Sequence, residues 1–347
     1  MRKNFLTDRA MKKYFISIFV FIFIVSSSAA FAQEEKILSS DIMIQKLQNV
    51  KKKKEKINLL IELADAYRIE SVLDKALSTC KETLALELDR RQEQKIYRIL
   101  GDTYSAKKEY SDAIINYREA ISLAPEHIGV RLSLAETYEL SDLYELAIEE
   151  YLKILEIDPK AFEANFNLGN LYLKEGFPDK AVRYFRMAVI VKMDADAYRM
   201  LALCYEEIGD TDLAISMEKS AIAIGAKYGD YIDLGRLYST EKKYKEAEET
   251  FLKAEDIDKN TLDAYLYLGI LYLDKNEISK ARTIFLMSSK KFPESALIHF
   301  FLGNIYYRQG ERNLSRNEMR QSANFAKSET LKTFSQKYLE FINKTLK

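Results

Sequence analysis

The chain has 347 residues, of which 48% are hydrophobic and 31% charged, with 11 Gly, 4 Pro, 2 Cys, 2 His and no Trp. Few helix breakers beside ample apolar content favour an almost wholly helical globular protein over a disordered one. The 53 basic and 53 acidic residues balance, so we expect no attraction to polyanions and no nucleic acid partner. Two cysteines and two histidines are too few for a disulfide framework or a zinc site, and we predict no metal and no cofactor.

The first 32 residues are typical of an export signal. Residues 14–25 (YFISIFVFIFIV) form an apolar run that follows Lys12 and Lys13 and precedes a small-residue stretch ending at Ala32. A basic start, a short apolar core and small residues predict a secretory signal cut after Ala32, with Met11 as an alternative start. An uncleaved membrane anchor is the other interpretation. We therefore predict an exported protein of a bacterial periplasm, with no stable membrane insertion once the signal is cut.

Residues 33–56 are predicted to be a helical lead-in, because Ser40 or Asp41 can cap a helix that includes Ile42 and Leu47. The lead-in ends in the run KKKKEK, which favours a solvated helix face or connector over a lipid or glycan contact.

A repeat of about 34 residues organises residues 57–329. The segment LGDTYSAKKEYSDAIINYREAISLAP (100–125) recurs as LAETYELSDLYELAIEEYLKILEIDP (134–159), and six further copies are recognisable. The first leucines of the eight copies are Leu63, Leu100, Leu134, Leu168, Leu201, Leu234, Leu268 and Leu302. The predicted repeat starts lie near residues 57, 94, 128, 162, 195, 228, 262 and 296. A period of this length indicates stacked supersecondary units.

Each position of the repeat has a mechanical role, and we number positions so that the first leucine is position 7. Position 8 is Gly or Ala, as at Gly101, which lets a second helix approach the first. Position 24 on the second helix is aromatic in five copies, as at Tyr117, and proline closes the second helix in three copies, as at Pro125. Some copies depart from the pattern: Arg131 stands in an aromatic position of the first helix, and Glu218 replaces the aromatic residue at position 24.

Eight copies in register resemble tetratricopeptide repeats. The resemblance implies an all-α fold, an α-solenoid of about eight helix-turn-helix repeats that form a right-handed superhelix. Because terminal repeats need a covered outer face, we predict that residues 330–347 form a C-terminal capping helix. Its apolar stripe would be Leu331, Phe334, Tyr338, Phe341 and Leu346.

In this family, positions 2, 5, 9 and 12 of the first helices line the concave side and grip partner peptides, which implies a protein or peptide partner here. In this sequence those positions are mixed in charge in the first half of the array and apolar in the last two repeats. The predicted partner-binding residues are Phe166, Asn170, Arg199, Arg236, Leu266, Ile270, Leu273, Phe300, Asn304 and Tyr307. The family's carboxylate clamp of paired Lys and Asn is not reproduced, which does not support a receptor for chaperone tails.

The last two repeats carry an apolar strip on this face. Its residues are Leu266, Ile270, Leu273, Phe300 and Tyr307. Three interpretations remain open: a groove for a partner segment, in which Asn304 bonds its backbone and Arg236 pairs an acidic flank; cover by the chain's own C-terminal helix; or the contact of a homodimer.

The predicted function is an exported, non-enzymatic scaffold that binds another protein within a cell-envelope assembly. The alternatives are a non-catalytic subunit of an envelope enzyme and a glycan- or peptidoglycan-binding module. No phosphate-binding Gly loop or nucleophile elbow is present in the sequence. We interpret the two histidines, His127 and His299, and the two cysteines, Cys80 and Cys204, as structural residues.

Overall fold

The structure is a computed structural model that describes residues 39–345. The predicted signal and residues 33–38 of the predicted lead-in lie outside these residues. Within them every regular element is a helix, and no helix there is long and apolar enough to cross a membrane.

Helix α1 covers residues 39–49. Sixteen helices then follow in pairs, one pair for each of repeats one to eight, and α18 ends the described chain. Their bounds are α2 Lys53–Ile69, α3 Leu73–Leu84, α4 Arg90–Ala106, α5 Tyr110–Leu123, α6 Ile128–Leu140, α7 Tyr144–Ile157, α8 Phe162–Lys174, α9 Pro178–Val191, α10 Ala195–Ile208, α11 Thr211–Gly225, α12 Tyr228–Thr240, α13 Tyr244–Ile257, α14 Asp263–Asp274, α15 Ile278–Lys291, α16 Ala296–Arg308, α17 Arg312–Phe325 and α18 Glu329–Thr345.

The chain divides into two compact units, one that ends at Ala164 and one that begins at Asn165. In the first unit each helix from α2 to α7 contacts the next, and the first helices of successive repeats also touch, α2 with α4 and α4 with α6. In the second unit the same order of contacts runs from α9 to α18. Contact between sequence neighbours is the packing of stacked repeats. The predicted all-α fold with helix-turn-helix units is confirmed.

One turn ends the first helix of every repeat. Position 15 has a positive φ in all eight repeats, between 56° and 89°. The residues are Ser71, Lys108, Asp142, Gly176, Gly209, Lys242, Asn276 and Gly310. The next backbone N–H then donates to the carbonyl of the conserved tyrosine at position 11, at 2.7–2.9 Å, as from Glu109 to Tyr104. This is the hydrogen bond of a left-handed helix C-cap, which stops the first helix and reverses the chain.

The two helices of a hairpin meet where position 8 faces position 24. At Gly101, Gly169, Gly235 and Gly269, an added Cβ would lie under 3.0 Å from the ring at position 24. Those rings are almost completely buried, and Phe285 is 0% exposed. In these four repeats the ring approaches the first helix so closely that glycine is the residue that fits at position 8 without a shift of the ring.

Two departures from the repeat pattern are explained by ion pairs. Arg131, in an aromatic position, donates from Nη1 to Glu150 at 2.6 Å. His299, at the equivalent position of repeat eight, places Nδ1 2.6 Å from Glu318, and both side chains also reach the carbonyl of the preceding proline. The hydrogen bond with Glu318 raises the pKa of His299. Both side chains are mostly buried, and each is paired with a glutamate of the second helix that takes the place of packing by an aromatic ring.

The first and last helices cover the outer repeats. Met43 and Leu47 of α1 pack on Leu63 and Tyr67 of repeat one. At the other end α18 packs on α17, where the hydroxyls of Ser322 and Ser335 are buried and 2.8 Å apart.

Candidate partner-binding groove

A cavity of about 590 Å³ opens on the inner face of repeats one to three, within the first unit. Four of its lining residues occupy positions 5 and 9 of α2 or positions 2 and 5 of α4, namely Ile61, Asp65, Lys95 and Arg98. The remaining walls come from the start of α4 and from the turn between α5 and α6. The cavity therefore lies on the face that the family resemblance assigns to partner binding.

An ion network fixes one wall of this cavity. Arg98 donates from Nη1 to Asp102 at 2.7 Å and from Nη2 to Asp65 at 3.4 Å, while Arg68 donates to Asp65 at 2.7 Å. The hydroxyl of Tyr117 donates to Asp102 at 2.8 Å. Burial and the Asp102 carboxylate raise the pKa of Tyr117 well above its usual range. These side chains link α2, α4 and α5 and hold each other in place.

The N-terminal part of α4 offers charges and a donor without a partner among the described residues. Arg91 and Lys95 are exposed and form no ion pair among the described residues. The amide Nε2 of Gln94 is buried, and no described residue accepts a hydrogen bond from it. A buried amide N–H without an acceptor is costly, so this wall suits an anionic or carbonyl-bearing group.

The groove continues toward the N-terminal side of the first unit. A second cavity of about 770 Å³ lies between α1 and α2, with Gln45, Lys46 and Asn58 among its lining residues. It shares Glu62 with the first cavity. The two cavities therefore adjoin at Glu62 on α2, and we call them together the N-terminal groove.

The predicted residues of repeat four lie on α8 in the second unit. Phe166 and Asn170 are half-buried. The ring of Phe166 packs edge-on against Phe185, with centroids 5.7 Å apart, so Phe166 also serves the hairpin core.

The two predicted arginines are bound within the chain. Arg199 donates to Asp230 at 2.6 and 2.9 Å and to Asp196 at 2.5 Å. Arg236 donates to Glu206 at 2.8 Å and to Asp233 at 2.9 Å. Carboxylates of its own helix and of α10 therefore already pair with Arg236, and the pairing of Arg236 with an acidic flank of a partner stays a prediction.

The apolar strip of repeats seven and eight, which we expected to be exposed, is partly covered in the structure. Its five side chains are half-buried. Leu266, Ile270 and Leu273 pack against the core shared by repeats seven and eight. In the described residues, therefore, none of the strip is a fully open surface.

Helix α18 covers the part of the strip on repeat eight. Phe300 and Tyr307 meet the ring of Tyr338 edge-on, at centroid distances of 6.4 and 5.6 Å. Asn304, which we expected to bond a partner's backbone, donates instead to the Tyr338 hydroxyl at 3.3 Å. Of the three interpretations, cover by the chain's own C-terminal helix is the one the contacts of repeat eight show.

Sequence reasoning missed Arg91 and Gln94, which precede position 2 of repeat two. The sequence does show an irregularity here, because Leu63 and Leu100 are 37 residues apart, whereas the other first leucines are spaced by 33 or 34. The additional residues give α4 a further N-terminal turn, and Arg91 and Gln94 lie on or beside it. No cluster of three or more candidate metal ligands occurs among the described residues.

Tetratricopeptide-repeat family models match the chain over five segments. A model described as TPR repeat matches residues 144–176. Models described as Tetratricopeptide repeat match residues 95–127, 166–228, 231–261 and 266–311. Together these segments span more than half of the chain.

Similar curated proteins share part of their length with this chain. The TPR repeat-containing thioredoxin TTL4 of Arabidopsis thaliana is 34% identical over 134 residues, which are 36% of this chain and 20% of that protein. Tetratricopeptide repeat protein 8 of Caenorhabditis elegans is 20% identical over 213 residues, which are 60% of this chain and 42% of that protein. The chain thus spans less than half the length of these relatives.

Among solved structures, a tetratricopeptide repeat protein from Parabacteroides merdae ATCC 43184 superposes with a TM-score of 0.50. The match covers 72% of this chain and 99% of that chain at 15% identity, and it shows similarity of fold.

Proposed function

We propose that this all-α chain, which is built from tetratricopeptide repeats, is an exported, non-enzymatic scaffold that binds a protein partner within a cell-envelope assembly. The observation that carries the proposal is the N-terminal groove, where Arg91, Lys95 and the Gln94 amide have no partner among the described residues. The sequence pattern of residues 14–32, which predicts an export signal, supports the proposed envelope location.

The groove is suited to binding because its walls are helices that are already packed. A preformed surface orders little on association, so less of the contact energy is lost to entropy. Its cavities of about 590 and 770 Å³ have the size of sites that bury several side chains of a ligand. An extended or helical segment of a partner therefore fits along α2 and α4.

The charges of the groove indicate the chemistry of that segment. Asp65 and Asp102 neutralise Arg68 and Arg98. The other charged lining residues, Arg90, Arg91, Lys95 and Glu62, form no ion pair among the described residues, so cations exceed carboxylates there. An acidic side chain pairs with these cations, and a backbone carbonyl accepts from Gln94. Exposed charges of this kind mainly set the association rate and its dependence on salt.

The test is partner capture from the native envelope fraction with a charge-reversed groove. The double variant Arg91→Glu, Lys95→Glu should lose a stoichiometric protein partner, while its helicity and melting temperature stay unchanged. The matched control is Lys81→Glu, Lys160→Glu, which reverses two exposed, unpaired lysines of the same unit outside the groove and should capture the partner normally. Equal capture by both double variants, or turnover of a small molecule by the pure protein, would overturn the proposal.

Export is tested separately by the intact mass of the protein from its natural compartment. We expect a mature N-terminus at Gln33. Retention of residues 14–32 in a membrane fraction contradicts it.

A further inference from the structure

Repeat five has a carboxylate at position 24, where five of the eight repeats have an aromatic ring. In repeats two, four, six and seven the residue at position 24 is Tyr or Phe, packed against Gly at position 8. In repeat five the pair is Ala202 and Glu218, and Glu218 is only 4% exposed. A carboxylate side chain fills less space than a ring, and a cavity of about 190 Å³ lies here, with Ala202 and Glu218 in its lining.

The tip of a side chain at position 24 reaches the inner face of the repeats. In repeat two the hydroxyl of Tyr117 bonds Asp102 at position 9. In repeat three the hydroxyl of Tyr151 donates to Glu139 at position 12, 2.5 Å away. The equivalent residues of repeat five, Leu203 and Glu206, both line the cavity with Glu218. The Glu218 carboxyl therefore faces the inner side of the first helices of the second unit.

The cations around this cavity are already neutralised. Arg199 is held by Asp196 and Asp230, and Arg236 by Glu206 and Asp233. Each guanidinium thus has two carboxylates.

The Glu218 carboxyl is the excess acidic group. It forms no hydrogen bond or ion pair with the part of the chain that the structure describes. Burial, together with Asp230, Asp233 and Glu206, raises the pKa of Glu218 to about 8, although Arg199 acts in the opposite direction. A buried carboxyl without a partner is costly when charged, and a cation in the cavity would relieve that cost.

We infer that this cavity binds the alkylammonium side chain of a lysine on the partner segment. The ammonium pairs with Glu218, and the aliphatic stem contacts Met200, Leu203 and Leu237, which line the same cavity. The inference rests on the proposed function, because it names a residue type that the partner presents to the inner face.

The dimensions and the lining of the cavity favour a single lysine side chain. About 190 Å³ is below the usual range for a small-molecule site, so the cavity admits one side chain. Lysine carries a compact point charge on a flexible stem, whereas arginine carries a broad planar fork. No group of three candidate metal ligands is found here or elsewhere in the described residues.

The test uses n-butylammonium as a mimic of the lysine side chain and n-butanol as its uncharged counterpart. Binding to the full chain is followed by ¹³C-methyl NMR of Met200. We expect saturable shifts with n-butylammonium and far weaker ones with n-butanol. Affinity should rise between pH 6.5 and 9, because Glu218 ionises in that range while the amine stays protonated.

Two substitutions at Glu218 separate charge from space. Glu218→Gln keeps the shape and should weaken n-butylammonium binding roughly 10- to 100-fold, the usual effect of losing a hydrogen bond to a charged group. Glu218→Phe restores the ring of the other repeats and should abolish binding while the protein remains folded. The control Glu207→Gln, an exposed carboxylate of α10 outside the cavity lining, should bind like the unmodified chain.

Equal binding to Glu218→Gln, equal binding of n-butanol, or no binding at millimolar concentration would overturn the inference. The assay contains no partner, so its outcome is independent of partner capture. If the chain captures its partner but does not bind n-butylammonium, only the inference of a lysine site is contradicted. If the chain binds n-butylammonium but captures no protein partner, the proposed scaffold function is contradicted.

Discussion

The side chain of Asn304 donates a hydrogen bond to the hydroxyl of Tyr338, 3.3 Å away. This contact joins the inner face of α16 to the C-terminal helix α18, and the rings of Phe300 and Tyr307 meet Tyr338 beside it. A helix of the same chain therefore covers part of the apolar inner face of the last repeat.

Removing the Tyr338 ring should destabilise the C-terminal repeats. Tyr338→Ala deletes three aromatic contacts and the acceptor of Asn304, and we expect a loss of about 1–3 kcal/mol in the free energy of unfolding. Phe334→Ala is the control, since Phe334 is 62% exposed on the same helix, and it should change stability by less than about 0.5 kcal/mol. Urea denaturation measures both. A similar loss for the two variants would contradict cover by α18.

A methyl group at position 8 of repeat six should overpack its hairpin. In Gly235→Ala the new Cβ would lie under 3.0 Å from the ring of Phe251, which is 1% exposed, so the ring or the helices would have to shift. We expect a loss of about 1–3 kcal/mol by thermal or chemical denaturation.

The matched control is Gly225→Ala, where no atom lies within 4 Å of the new Cβ. It should be neutral or stabilise by up to about 1 kcal/mol. If both substitutions behave alike, the close approach of the two helices is not what selects glycine at position 8.

The left-handed turn can be improved at a single residue. Lys242 has φ 56° at position 15, where three other repeats have glycine. A non-glycine residue in this conformation costs about 1–2 kcal/mol of steric strain. Glycine avoids this strain but loses more backbone entropy on folding, which offsets part of the gain. Lys242→Gly should therefore stabilise the chain by about 0.5–1 kcal/mol, measured as an upward shift of the denaturation midpoint. The reverse change, Gly209→Ala at φ 89°, should destabilise the chain. A loss of stability in Lys242→Gly, or a gain in Gly209→Ala, would contradict the turn assignment.

Glu218 should make stability decrease with rising pH. Its pKa is raised from 4.5 to about 8 in the folded chain, so the folded state binds the proton more tightly than the unfolded state. The stabilisation is complete below about pH 4.5 and is lost as pH rises through about 8. Glu218→Gln removes this term and should exceed the unmodified chain in stability by roughly 2–4 kcal/mol at pH 8–9, since one pKa unit corresponds to about 1.4 kcal/mol.

Denaturation midpoints of both chains at pH 5 and pH 8.5 measure the difference. The two should agree more closely at pH 5, where the carboxyl is neutral like the amide. A constant difference at both pH values would show that Glu218 does not titrate in this range.

His299 should add a second, smaller dependence on pH. Its pKa is raised by the hydrogen bond with Glu318, so its stabilisation is fully present below its unfolded value and is lost as pH rises through the higher folded pKa. Glu318→Gln removes the ion pair and should destabilise the chain by roughly 1–2 kcal/mol at pH 6, with a smaller effect at pH 9. Hydrogen exchange in α16 and α17 would locate the effect, and a loss that grows with pH would contradict it.

The repeat register follows from the sequence because it depends on short-range geometry. The spacing from Leu100 to Leu134 fixes one helix pair, and Gly101 facing Tyr117 fixes the approach of its two helices. The turn at position 15 occurs even at Lys108 and Lys242, where the residue type alone does not favour it. The register of the neighbouring positions imposes the left-handed conformation there.

Tertiary structure decided which inner-face side chains remain available. The sequence predicts Arg236 as a partner-binding cation, yet Arg236 forms an ion pair with Glu206 of the neighbouring first helix. Asn304 reads as a peptide-binding amide, yet Tyr338, 34 residues further along the chain, accepts its hydrogen bond. A helical period assigns a residue to a face, but side chains from other helices determine whether its charge or donor is already satisfied. The distances between side chains of different helices are set only when the helices pack against each other.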